Sequence, residues 1–261
     1  RQLAKVKGIP DFHYRLDGYW LNNLLKDCLI CVVFFSGIRR MELLRTNKDS
    51  YEVDENTGIS TLVTMHSKPN EGIPIKDVWQ TDPIVKKVLE LAYESSNFAR
   101  EFFLKQIDAQ LSNKQISQDQ HEAYKSELNS VFIKVALHKP NKGKIKPNYR
   151  INTENGLGLE RFKIEASEDE VDEFNLINPD WAGKFERGGT LPKLSLHDLR
   201  RSFAVFMVRN QLGNVLTVKH QFKHLNLRMS KWYVNYAELA RDKSNRMDEK
   251  LFALKKHVLM V

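Results

Sequence analysis

The sequence predicts an α+β fold that is mainly α, a helical domain carrying one small antiparallel β-sheet of two or three strands. Two patterns lead there. Apolar residues recur at helical spacing over residues 15–35, from Asp82 into the 130s, and from Leu196 onward. Short β-prone runs broken by turn residues cluster at residues 51–75. With 261 residues, 41% of them hydrophobic, the chain can bury a core as one large domain or one domain with a substantial insertion.

The elements follow in order. RLDGYWLNNLLKDCLICVVFF, residues 15–35, reads as a helix that stops at Ser36 and Gly37, residues suited to a helix junction. IRRMELLRT begins the next helix. In YEVDENTGISTLVTMHSKPNEGIPI the strands are separated by turns at Asn56-Thr57-Gly58 and Pro69-Asn70-Glu71-Gly72. Pro83 suits the first position of a long helix, and DQHEAYKSELNSVFIKVAL suggests another. Residues 138–164, starting HKPNKGKIKPNYR, have the composition of an exposed loop or hairpin, which could touch a phosphate backbone or lie in solvent. The acidic run from Glu165 to Phe174 starts a helix, because carboxylates favour the positive end of its dipole. From Leu196 the chain reads as helical to Val261, with breaks at Gly213 and Asn226, and no internal repeat is visible.

Composition narrows the function. The balance of 41 Lys+Arg against 33 Asp+Glu gives a net charge of +8, which favours an anionic partner such as nucleic acid. The most apolar run, Cys28 to Phe35, is far shorter than the ~20 residues that cross a bilayer. No basic leader precedes a small-residue cleavage site, so the chain reads as soluble and intracellular. Cys28 and Cys31 form a CxxC, yet their spacing puts both on one buried helical face, and core packing is the better reading. No second ligand cluster completes a zinc site. The chain starts at Arg1 rather than Met, which fits a piece of a longer protein with a domain upstream.

The chemistry-bearing residues form an ordered series. Arg39 and Arg40 follow one helix junction, and Arg200 and Arg201 follow another, with His197 three residues before Arg200. Arginines at a helix start favour a bound anion such as phosphate, where guanidinium forks and helix amides would act together. Each pair alone is better read as a solvated helix face, and only together with the histidines do the pairs favour function. His197 and Arg200 share a helical face, His224 lies downstream, and Tyr233 stands nine residues after it.

The series resembles the catalytic domain of the tyrosine recombinases, or phage integrases. That family's boxes are Gly-[Leu/Ile]-Arg-x-x-Glu, a β-turn lysine, His-x-Leu-Arg, and Gly-His followed nine residues later by Tyr. Here they read GIRRME from Gly37 to Glu42, SKPNEGIPI with Lys68, HDLRRSF from His197 to Phe203, and KHLNLRMSKWY from Lys223 to Tyr233. The likeness covers roughly residues 15–90 and 190–236. It departs from the family at Lys223, where a glycine is usual, and in residues 105–190, which look like an insertion with its own helices. The family's amino-terminal DNA-clamping domain has no counterpart, since Arg39 lies close to the start.

The resemblance implies a mechanism. The Tyr233 hydroxyl would attack a DNA phosphodiester in line, giving a 3′-phosphotyrosyl link and a free 5′-hydroxyl. A second strand then reverses the step with no cofactor, ATP or metal ion. Arg39 and Arg200 would clamp the non-bridging oxygens, and His197 and His224 would hydrogen-bond the phosphate or assist proton transfer. Lys68 would protonate the leaving 5′-hydroxyl, with Lys76 as the alternative. Glu42 would orient an active-site group, its other reading being a surface ion pair.

Arg40, Arg201, Arg228 and Lys231 are candidates for DNA contact, Trp232 for anchoring its helix and Tyr236 for packing. The implied partners are double-stranded DNA attachment sites, a homo-tetramer assembled on them and a directionality factor. The setting would be the bacterial cytoplasm, on the nucleoid, if the chain comes from a phage or mobile element. Glu238 to Val261 would form an amphipathic helix docking on its own domain or on a neighbouring protomer. A type IB topoisomerase and a catalytically inactive DNA-binding protein of the same fold stay open, and the intact series argues against the second.

Overall fold

The computed structural model describes residues 18–66, 75–135, 149–153, 156–189, 193–224, 226–231 and 234–235. They are mainly helical with one three-stranded antiparallel sheet, as the sequence patterns predict. The chain divides into two compact units between Leu157 and Gly158.

In the first unit, α1 spans Tyr19–Ser36 and buries Leu25, Cys28, Leu29, Val32, Val33 and Ser36, a face at spacings of three and four, with Ile30 buried beside it. Gly37 closes it at φ 62°, a left-handed cap glycine adopts without a Cβ penalty, with its N–H donating to the Val33 carbonyl at 2.8 Å. The Ser36 hydroxyl donates to the Val32 carbonyl at 2.6 Å and accepts from the Ile38 N–H at 3.3 Å, turning the chain into α2, Arg40–Leu43. At the other end Gly18 has φ 69°, and a Cβ there would overlap the Val135 carbonyl. Asn22 then clasps Val135, accepting from its N–H at 2.8 Å and donating to its carbonyl at 3.1 Å.

Strands β1 (Tyr51–Val53), β2 (Ser60–His66) and β3 (Ile75–Gln80) follow as an antiparallel meander, with Leu62 opposite Trp79 and both fully buried. The first predicted turn forms around Asp54, whose carboxylate accepts from the Asn56 N–H and from the N–H and hydroxyl of Thr57, with Gly58 at φ 68°. The second, at residues 69–72, lies outside the described residues. The Thr64 hydroxyl donates to the Glu42 carbonyl at 3.1 Å and Arg45 to the Met65 carbonyl at 3.3 Å, so β2 holds α2 and its exit in place.

The long helix α3, Ile84–Ser112, packs on α1 and on α4, Gln118–Leu128. It crosses residue 105, the expected start of the insertion, without interruption, and the division between the units falls inside the 105–190 stretch. Arg100 of α3 is buried. Its guanidinium donates to the carbonyls of Leu128 and Ser130, both at 2.8 Å, and to the Ser96 hydroxyl at 3.2 Å, and it lies 4.2 Å from the Tyr93 ring centroid. A cation on the last carbonyls of α4 meets the negative end of that helix and satisfies acceptors that helix geometry leaves open. Beyond α4, residues 131–135 pair with 149–151, and Tyr149 packs on Phe103 and Tyr124. Of the basic loop at 138–164, residues 138–148 lie outside the described residues.

In the second unit the acidic run does start a helix, α5 at Glu168–Ile177, with reciprocal capping by Ser167 and Glu170. Bonds from the Ser167 N–H and hydroxyl hold the Glu170 carboxyl below its usual range. Helix α6, Leu196–Arg209, is capped by Ser195 and Asp198, and α7, Val215–Phe222, by Asn214 and Thr217. Helical structure is therefore broken around Gly213, as expected, and again at Lys223, His224 and Asn226. Ala204 and Val208 of α6, Val218 and Phe222 of α7, and Val234 form one buried cluster. Among the described residues no helix is long and apolar enough to cross a membrane.

Two outcomes test this account. Replacing Arg100 with Met removes the cation and leaves the α4 carbonyls buried without it, so urea unfolding should show a loss of roughly 3 kcal/mol. Burial pushes the Cys28 thiol from near 9 up to about 11, the Cys31 sulfur adding to the effect. The folded state thus favours the neutral thiol, and this stability is complete below the unfolded pKa and lost as pH rises from about 9 to 11. Iodoacetamide at pH 8 should accordingly alkylate Cys31, which is partly exposed, well before Cys28.

Candidate active site

The first unit contributes Arg39, Arg40, Glu42 and Lys76. Arg39 is the N-cap residue of α2, in extended conformation at φ −79° and ψ 155°, and Arg40 is its exposed first helical residue. Glu42 is only 3% exposed, and its carboxylate lies 3.9 Å from the Arg39 guanidinium. The pair is therefore an anchored one, with its acidic member in the core and its basic member at the rim. Lys76 stands on β3 and pairs at 3.7 Å with Glu52, both well exposed. Lys68 lies outside the described residues.

The second unit gathers more of the series. His197 is the exposed second residue of α6, and Arg200, nearly one turn on, is buried with 3% exposure. The Arg200 guanidinium donates to the Phe222 carbonyl at 2.7 Å, and its central carbon lies 3.7 Å from the Phe222 ring centroid. His224 is buried and meets the same ring edge-on, with centroids 5.3 Å apart and planes at 84°. Phe222 thus stands between the arginine and the histidine, in contact with both. His224 Nδ1 lies 2.9 Å from the Ser230 hydroxyl.

Between Phe222 and His224, Lys223 caps α7 in the left-handed region, at φ 54° and ψ 45°. This explains why glycine suits the position, and the lysine occupies it with a Cβ that the conformation disfavours. Asn226 then accepts from the Arg228 N–H at 2.8 Å and starts a helical stretch at 227–231, with 234–235 helical again. Ser230 and Val234, one turn apart, are both buried, whereas Arg228 and Lys231 are exposed. Trp232, Tyr233, Tyr236 and the segment 238–261 lie outside the described residues.

One expectation needs correction. The notion that helix amides reinforce the arginine pairs fails for both. Helix α2 is a single turn that Arg39 only precedes, and α6 caps its own start through Ser195 and Asp198, with Arg200 and Arg201 fifth and sixth in the helix. Arg201 also departs from Arg200, because successive helical residues diverge by about 100°. It donates to the Asn178 side chain at 3.1 Å and lines a cavity of about 520 Å³ with Trp181, Phe206 and Arg209. Phe222 and Ser230, which sequence reasoning missed, hold the histidine. The only local signal for them was the aromatic-rich context of His224.

No family model matches the chain, and no curated protein matches it in sequence. Among solved structures it is similar to XerA recombinase, at 14% identity and a TM-score of 0.38, over 88% of this chain and 60% of that one. It is similar also to XerH site-specific recombinase bound to difH substrate in a pre-cleavage complex, at 13% identity and a TM-score of 0.37, over 88% and 53%. A third is the Tn1549 transposon integrase in complex with circular intermediate DNA, at 11% identity and a TM-score of 0.33, over 92% and 69%. The chain thus spans between half and three fifths of the length of the two Xer recombinases.

The backbone at Lys223 yields a stability prediction. Lys223→Gly removes the Cβ from a left-handed cap and should raise stability by about 1 kcal/mol, read as a higher melting temperature. An unchanged or lower melting temperature would contradict the strain.

Proposed function

We propose that the chain is the catalytic part of a tyrosine recombinase, which cleaves and rejoins DNA through a 3′-phosphotyrosyl intermediate. The observation that carries this reading is the packing of Arg200 and His224, from two separate motifs of the series, against one phenylalanine. Residues that must meet one phosphate need fixed positions relative to each other, and a shared ring in the core supplies them.

In this reading the Tyr233 hydroxyl yields its proton to one of the two histidines as its oxygen attacks phosphorus, the bond to the 5′-oxygen breaks, and the leaving oxygen takes a proton from Lys68. As the phosphorane forms, charge grows on its non-bridging oxygens, and Arg200 and Arg39 stabilise it. His224 and His197 supply hydrogen bonds or proton transfer. Rejoining runs the same steps backward from a second strand's 5′-hydroxyl, and the bond energy stays in the phosphotyrosine. The substrates would be double-stranded attachment sites of a mobile element, bound by a homo-tetramer, with integration or excision biased by a directionality factor. Arg40, Arg228 and Lys231 are exposed, and in this reading they would meet backbone phosphates.

The test is a nicked duplex spanning the element's junction, which traps the covalent step. Wild-type protein should form an adduct that survives denaturation, and Tyr233→Phe should form none while binding the duplex normally. No adduct from the wild-type chain under any condition would sink the reading. His197 is exposed, so His197→Ala should leave the melting temperature nearly unchanged and slow cleavage roughly 100-fold. Binding should also weaken steeply between 50 and 200 mM salt, as roughly expected when several phosphates are neutralised.

A further inference from the structure

We propose that Ser230 is a positioning residue for His224, holding its ring in the tautomer that presents a proton from Nε2 to the phosphate. The inference rests on the recombinase reading of the site and adds to it a residue outside the motif series.

The geometry is specific. Ser230 is fully buried, His224 is 6% exposed, and their side chains meet at 2.9 Å through Oγ and Nδ1. Two further contacts restrict His224. The edge of its ring meets the Phe222 ring, and its backbone N–H donates to the Lys219 carbonyl at 3.1 Å. A neutral imidazole has one donor nitrogen and one acceptor, whereas a serine hydroxyl rotates to serve as either. The bond alone therefore permits both tautomers.

Phosphate chemistry decides between them. Non-bridging phosphate oxygens are acceptors only, so a neutral histidine facing them must carry its proton on the nitrogen toward the phosphate. With the Ser230 hydroxyl donating to Nδ1, the proton stands on Nε2 and the ring becomes a donor. With the roles reversed, Nε2 would turn a lone pair toward an anion. Ser230 thus fixes the ring's orientation and, as the donor to Nδ1, holds the Nε2–H form that a phosphate requires, as partners of functional histidines do elsewhere.

Ser230 also links two elements. It sits in the helical stretch 227–231, three residues before Tyr233 in sequence, and Val234, one turn after Ser230, enters the unit's core. The bond ties the turn that carries His224 to the segment leading to the nucleophile.

The experiment has two arms on the same full chain. Long-range proton–nitrogen NMR on protein labelled at histidine, with His224 assigned by its loss in His224→Gln, reads the tautomer directly. Wild type should show the Nε2–H form, and Ser230→Ala should show a mixture or the Nδ1–H form. Single-turnover cleavage of the nicked duplex should fall roughly 10- to 100-fold in Ser230→Ala, with binding unchanged. Ser230→Thr, which keeps the hydroxyl, should restore most of the rate, and the pH–rate profile should shift in Ser230→Ala alone.

An unchanged His224 tautomer in Ser230→Ala would overturn the proposal. So would a changed tautomer with an unaltered rate and pH profile, or a rate loss that Ser230→Thr fails to rescue. Failure of the wild type to form an adduct would overturn the recombinase reading and with it the role toward phosphate. The tautomer arm would still hold or overturn the hydrogen bond by itself.

Discussion

The second unit depends on the bond from the buried Arg200 guanidinium to the Phe222 carbonyl. An ionised group removed from water requires good acceptors, or its burial costs several kcal/mol on the order expected for unpaired ions. The end of α7 offers them, because its last carbonyls lack helical partners and carry the negative end of the dipole. Together with the apolar cluster of Ala204, Val208, Val218 and Phe222, that bond joins α6 to α7, and the guanidinium lies over the Phe222 ring that His224 also meets. The first unit uses the same device: Arg100 of α3 reaches the carbonyls of Leu128 and Ser130 where α4 ends. Only in the second unit does the arginine stand beside other members of the proposed catalytic series.

Removing Arg200 would therefore act at two levels. The helix end would lose its cation and the site its phosphate ligand, so a loss of cleavage in an Arg200 variant cannot be read as chemistry alone. His197 separates the two levels, since it is exposed at the start of the same helix and holds no part of the core. The same reasoning applies to Lys223. Its strained backbone turns the chain from the end of α7 into His224, and the conformation is set by where the ring must go, not by the lysine.

The elements were legible wherever a local rule governed them. Apolar spacing in α1, Gly37 at its end, the Asn56–Gly58 turn and the acidic start of α5 each act over a few residues, and each appears as expected. What was not legible depended on partners far apart in sequence. Glu42 reads in sequence either as an orienting group or as a surface ion pair, and it is buried, because β2 closes over α2 through Thr64. The roles of Phe222 and Ser230 arise when α6 and α7 pack, and no spacing rule encodes a ring shared by residues 200 and 224. Arg201 reads in sequence as a DNA contact beside Arg200, and helical geometry turns it toward Asn178.

Arg39 and Arg200 occupy matching roles in the motif series but meet different oxygens. Arg39 has a buried carboxylate at 3.9 Å, whereas Arg200 donates to a neutral carbonyl. A carboxylate offsets part of the positive field that a guanidinium projects, and a carbonyl dipole offsets less. In the proposed reaction Arg39, tethered from the core, would bring a fixed direction. Exchanging Glu42 for glutamine would keep the tether's shape while restoring charge to Arg39. That separates orientation from electrostatics at this arginine, a distinction that removal of the arginine itself cannot make.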